Sequence, residues 1–167
     1  MVPVHFVFVV LAVLFAISIH EFSHGYVAYR LGDPTPKYQG RLTLNPFAHM
    51  DLLGMLMFVL FRFGWAKPVM VNPYRLKGGP RKGMILVGLA GPLANLAVAW
   101  VCLVIFQHWP QTLFPFNVTV AAISFLQINV IYNISLAAFN LIPIPPLDGS
   151  KVLFGLLPRV FDRYIIR

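Results

Sequence analysis

Residues 3–29 read PVHFVFVVLAVLFAISIHEFSHGYVAY. At a rise of about 1.5 Å per residue, this run is roughly 40 Å long, enough to cross a bilayer with some tilt. It has no basic start and no small-residue cleavage site, so it reads as a membrane helix rather than a secretory leader. Arg30 ends the run, and Gly32-Asp33-Pro34 stops the helix. Two imidazoles and a carboxylate interrupt its inner part: His20, Glu21 and His24.

The rest of the chain agrees with that opening. Of its 167 residues, 59% are hydrophobic and only 11% charged, whereas soluble domains carry about 25% charged residues. One cysteine excludes a disulfide scaffold. A net charge of +8 suggests nucleic acid in a soluble protein, but in so apolar a chain the basic residues read as topology signals. No nucleic-acid partner is expected.

Two further spans are expected at about 83–107 and 118–140. Residues 52–63 (LLGMLMFVLFRF) are apolar but too short to cross, which suits a re-entrant or interfacial segment. Residues 64–82 mix β-branched residues with prolines and suit short strands or an extended surface loop. Pro143, Pro145 and Pro146 end the third span, and 150–167 forms a basic tail. The expected fold is an all-α membrane protein of one domain, 1–167. Its three-helix transmembrane core carries a re-entrant or short-strand segment, 52–76, between the first two spans.

The basic residues orient this core. Arg30, Lys37, Arg41, Arg62, Lys67, Arg75, Lys77, Arg81 and Lys82 follow the first span, and Lys151, Arg159, Arg163 and Arg167 follow the third. Three crossings put both groups on one side, which the positive-inside rule makes cytoplasmic. The expected localisation is the cell membrane, multi-pass, with the N-terminus outside.

His20-Glu21-Phe22-Ser23-His24 has the pattern H-E-x-x-H. Positions i and i+4 share a helix face, so both imidazoles can reach one metal ion, and the adjacent Glu can act on a water held there. Charged and imidazole side chains inside a membrane are costly unless they face the bundle interior with partners. The alternative is a structural polar cluster between helices. The site lies roughly 9–15 Å inside the cytoplasmic end of the helix.

A catalytic zinc takes three protein ligands and keeps one position open. His5 lies too far along the first helix, and His108 falls on the outer side. Asp148, just after the third span, is the favoured third ligand; the competing reading is a helix N-cap in Leu147-Asp148-Gly149. His49 and Asp51 remain backup ligands, better read as loop hydrogen-bonders. Asn129, Asn133 and Asn140 share one face of the third span. The first two read as helix-joining amides, while Asn140 is placed to donate to a developing oxyanion. In the second span, Gly88, Ala90, Gly91 and Ala94 read as close-packing positions, and Asn95 is a candidate to line the site. Cys102 reads as packing.

Together these segments closely resemble the site-2 protease family of intramembrane zinc metalloproteases. HEFSHGYVAYRLGDPTPKYQGRLTLNPFAHMDLLG resembles its first core helix and following loop, and GWAKPVMVNPYRL its membrane-associated strand or loop. AGPLANL resembles its second core helix, and FNLIPIPPLDGSKVL its third with the L-D-G motif. The resemblance implies one zinc per chain held by His20, His24 and Asp148, Glu21 as general base, and a substrate-side role for Asn140. It implies cleavage of transmembrane helices of other proteins within the lipid bilayer. No PDZ-like domain interrupts the chain, so a compact member is expected. Many compact relatives continue with a further helix beyond the L-D-G motif. The oligomeric state is open. The rival function is a non-proteolytic zinc-binding or zinc-transporting membrane protein. The apolar outer half of the first span, with only His5 in it, argues against a through-path.

Overall fold

The computed structural model describes residues 4–61, 65–110 and 112–157. Arg62, Arg159, Asp162, Arg163 and Arg167, and with them most of the expected basic tail, lie outside the described residues. Three helices are long and apolar enough to cross a membrane: α1 (Val4–Arg30), α5 (Pro80–Gln107) and α6 (Phe116–Asn140). Their bounds follow the three expected spans within a few residues. Helical backbone satisfies its own hydrogen bonds, which is what a chain crossing hydrocarbon requires.

Side-chain contacts set the directions of these helices. His24 of α1 meets Val87 of α5, and Ala16 meets Asn95 further along, so α1 and α5 run antiparallel. Asn95 meets Asn133 of α6, and Phe8 of α1 meets Phe125 at 5.7 Å between ring centroids. The buried apolar positions are mostly small, including Ala12, Ala16, Ala99 and Ala137, because small side chains let membrane helices approach closely. Leu11, Phe15, Leu93, Trp100, Val120 and Ile131 point outward instead. Among the side chains facing inward are His20, His24, Asn95, Asn129 and Asn133. An apolar outside around a polar inside is the arrangement lipid favours.

The first span ends in a Schellman motif. Gly32 N–H donates to the Tyr29 carbonyl and Asp33 N–H to that of Ala28, both at 3.0 Å. Gly32 sits at φ +106°, a left-handed conformation that suits glycine. The connection to α5 contains the short helices α2 (Thr35–Tyr38) and α3 (Pro46–His49), then α4 (Leu52–Phe61). It continues through an extended stretch and a 3-10 turn, Pro73–Arg75. The α4 helix exposes Leu52, Leu53, Leu56, Leu60 and Phe61. It is too short to span, as its sequence predicts.

Of the two expectations for 64–82, short strands or an extended loop, the extended loop is what occurs: no strand is present among the described residues. Met50 and Ala66 make a single antiparallel bridge, and Lys67 N–H donates to the His49 carbonyl at 2.9 Å. Pro68 then offers no N–H, and the next donors go to side chains. Val69 N–H donates to Glu21 Oε2 at 3.2 Å, Met70 N–H to Gln39 Oε1 at 3.3 Å, and Asn72 N–H to Asp33 Oδ2 at 2.6 Å. A ladder cannot propagate where its donors are already committed.

After α6, residues 141–147 turn the chain back, and α7 (Asp148–Leu156) packs against α5. This return brings Asp148 to the histidines of α1.

Candidate metal centre

The i, i+4 spacing on α1 brings the two imidazoles together as the sequence predicts. His20 and His24 lie edge to face, with ring centroids 4.6 Å apart and planes at 83°. Their Nε2 atoms are 3.0 Å apart. Asp148 Oδ2 lies 3.0 Å from His20 Nε2 and 2.9 Å from His24 Nε2. All three residues are 5% exposed.

The opposite edges of the two rings define what these atoms are. His24 Nδ1 lies 2.6 Å from the Val87 carbonyl. A carbonyl only accepts, so His24 Nδ1 carries a proton, and in the neutral ring its Nε2 presents a lone pair. His20 Nδ1 lies 2.6 Å from Asn95 Oδ1. The Asn95 amide is oriented by its other end, where Nδ2 donates to the Ala16 carbonyl at 3.0 Å and to Asn133 Oδ1 at 2.8 Å. Its oxygen therefore faces His20 and accepts from Nδ1–H, leaving a second bare Nε2. Asp148 adds a carboxylate oxygen.

With neutral rings, three lone-pair atoms thus crowd into one buried space, an arrangement that repels itself unless a proton or a metal cation sits among them. Two imidazole nitrogens and a carboxylate oxygen match the donor set of zinc. The helix α5 leaves room for this cluster at Gly91. A Cβ there would lie 2.5 Å from His24 Nε2 and 2.7 Å from His20 Nε2.

Asp148 does not act as an N-cap. It is the first residue of α7, and Leu147 occupies the cap position without a side-chain bond. Its other oxygen, Oδ1, takes Lys151 Nζ at 2.7 Å. Glu21 is half-buried, and its carboxylate accepts from Val69 N–H. Asn140 donates from Nδ2 to the Leu136 carbonyl of its own helix at 3.0 Å, with no hydrogen bond to the cluster. His49 is fully buried and donates from Nε2 to the Thr43 carbonyl at 2.8 Å. Asp51 Oδ1 accepts from Gly54 N–H at 2.9 Å at the start of α4. Neither joins the cluster, so the loop reading of both holds. Of the two amides expected to join helices, Asn133 does so through Asn95, whereas the Asn129 amide bonds the Phe125 carbonyl within α6. Val87, Gly91 and Lys151 carry no signal in the sequence that marks them as neighbours of the histidines.

An enclosed two-histidine, one-carboxylate centre, inside three helices able to span a membrane, defines the class as a helical membrane protein built around a zinc-type site. Residues 115–166 match the model of Peptidase family M50. The chain is 39% identical over 155 residues to "Putative zinc metalloprotease YwhC" of Bacillus subtilis, covering 90% of this chain and 69% of that protein. It is 31% identical to "Putative zinc metalloprotease Rip2" of Mycolicibacterium smegmatis, covering 89% of this chain and 56% of that protein. It is 25% identical to "Zinc metalloprotease MJ0392" of Methanocaldococcus jannaschii, covering 91% and 35%. No solved structure matches the chain at the same level of significance. The chain belongs to peptidase family M50, the site-2 protease family of zinc metalloproteases.

Proposed function

We propose that this protein hydrolyses peptide bonds in or near transmembrane helices of other proteins, at a zinc held by His20 Nε2, His24 Nε2 and Asp148 Oδ2. The observation that carries the reading is the convergence of those three buried atoms, with both histidine tautomers set by acceptors on α5. When bound, zinc supplies a Lewis acid that polarises a carbonyl and brings a water toward ionisation near neutral pH.

The chain's own residues do the rest. Glu21 is the general base: it takes a proton from the attacking water and returns it to the leaving amine. Val69 N–H holds one of its oxygens, at 3.2 Å, which steadies the carboxylate. Asn140 Nδ2 carries a second N–H beyond the one given to Leu136, available to a developing oxyanion. A substrate helix hides its carbonyls in its own hydrogen bonds, so it must unwind locally. The extended stretch at 65–72 is a surface on which such a strand could pair. Its N–H groups at Lys67, Val69, Met70 and Asn72 are already engaged. Pairing there can use its carbonyls or displace a weak bond such as that from Met70 to Gln39. The positive-inside reading places the N-terminus outside and the site toward the cytoplasm.

The experiment is cleavage of a transmembrane substrate by the purified protein in proteoliposomes. Glu21→Gln is expected to abolish cleavage while still binding zinc. Full activity in Glu21→Gln sinks the mechanism. Zinc flux across the same vesicles, without cleavage, would establish the transporter instead.

A further inference from the structure

We propose that Lys151 is a positioning residue that keeps Asp148 a one-oxygen ligand and so leaves a coordination position open; the inference rests on the metal-centre reading above. The two oxygens of Asp148 have separate partners. Oδ2 faces both histidine Nε2 atoms, and Oδ1 takes the Lys151 ammonium at 2.7 Å. The carboxylate side chain is 6% exposed and that of Lys151 32% exposed, so the ammonium covers the outer oxygen from the solvent side.

The backbone holds this division in place. Lys151 lies three residues after Asp148, on the same face of the first turn of α7. That turn rests on Gly88 of α5, where a Cβ would lie 3.2 Å from both the Asp148 carbonyl oxygen and Lys151 Cβ. The close approach fixes the height of Asp148 and Lys151 together. A carboxylate beside a divalent cation can bind through one oxygen or both. Two-oxygen binding beside two histidines and a water makes a five-donor set, which takes up the further position that a substrate carbonyl needs. A charge-assisted hydrogen bond from Lys151 withholds Oδ1 from the metal.

The competing explanation is an ordinary i, i+3 ion pair that only stabilises α7. Cobalt(II) in place of zinc separates the two, because the intensity of its visible absorption falls when a fifth ligand binds. Wild type and Lys151→Arg are expected to share an intense four-coordinate band. Lys151→Met is expected to give a weaker band, to retain its metal, and to cleave roughly 10–100-fold more slowly with zinc. Identical bands in wild type and Lys151→Met overturn the proposal, as does a Lys151→Met protein that releases its metal. Should Lys151→Met not fold, zinc X-ray absorption on the wild type decides. One-oxygen carboxylate binding supports the proposal and two-oxygen binding overturns it. A wild type that binds neither metal overturns the metal-centre reading itself, a result distinct from failure of the Lys151 assignment alone.

Discussion

His20 Nδ1 and Asn95 Oδ1 lie 2.6 Å apart, although 75 residues separate them in the chain. Asn95 is fully buried, and its nitrogen is bonded to α1 and α6 at once. One amide therefore joins three helices and orients the imidazole of a proposed ligand. Outer partners of this kind orient a metal-binding imidazole and raise its basicity.

Removing that acceptor should loosen the metal. Asn95→Ala is expected to weaken zinc binding roughly 10–100-fold, measured by competition with a chromophoric chelator. Asn95→Asp keeps an acceptor for His20 and should retain more affinity than the alanine variant. Equal affinities in all three proteins would remove Asn95 from the site.

Gly91→Ala tests the space beside the histidines. Its methyl would enter within 2.5–2.7 Å of both rings, so zinc content should fall well below that of the wild type. Alanine is about 1 kcal/mol better than glycine in a helix interior, so helix content by circular dichroism should not fall. A Gly91→Ala protein that holds zinc normally would show that the rings can move aside.

The contact between Glu21 and Val69 predicts a different signature. Val69→Pro removes the N–H that donates to the Glu21 carboxylate and should lower kcat without changing zinc content. The loss should fall within the roughly 10²–10⁴-fold that general acid–base catalysis supplies. An unchanged kcat means that Glu21 is oriented without help from this stretch.

Asp33 anchors the same stretch from its other end. It is fully buried and accepts from Thr35 N–H, the Thr35 hydroxyl and Asn72 N–H. Asp33→Ala leaves these donors without their acceptor, at about 1–3 kcal/mol for each one that stays buried. Hydrogen exchange at residues 65–76 should accelerate in this variant. Protection equal to the wild type would show that the stretch is held without Asp33.

Zinc removal supplies the last test. A ligand that binds only the folded state stabilises it by about 2.7 kcal/mol at a hundred times its dissociation constant. A strong chelator should therefore lower the midpoint of thermal unfolding and abolish cleavage, and added zinc should restore both. A melting curve indifferent to chelator would place the metal outside the folded core.

The sequence by itself determined the features that depend on neighbours along the chain. Span length and apolarity mark α1, α5 and α6, Gly32 marks the end of α1, and the i, i+4 spacing puts His20 and His24 on one face. The motifs also named Asp148 and Asn95 as candidates, but only the tertiary structure decided how distant groups meet the histidines. Asp148 reaches the histidines because α7 folds back against α5, and Val87 and Asn95 settle which nitrogens are bare. Lys151 divides the Asp148 oxygens, and Gly91 leaves the space they converge on. The choice between short strands and an extended loop at 64–82 was decided the same way: the N–H groups of Val69, Met70 and Asn72 find Glu21, Gln39 and Asp33, which lie 31–48 residues away. Helix periodicity repeats every 3.6 residues and is legible locally. A hydrogen bond between buried groups on different helices depends on how those helices pack, and no local pattern encodes that.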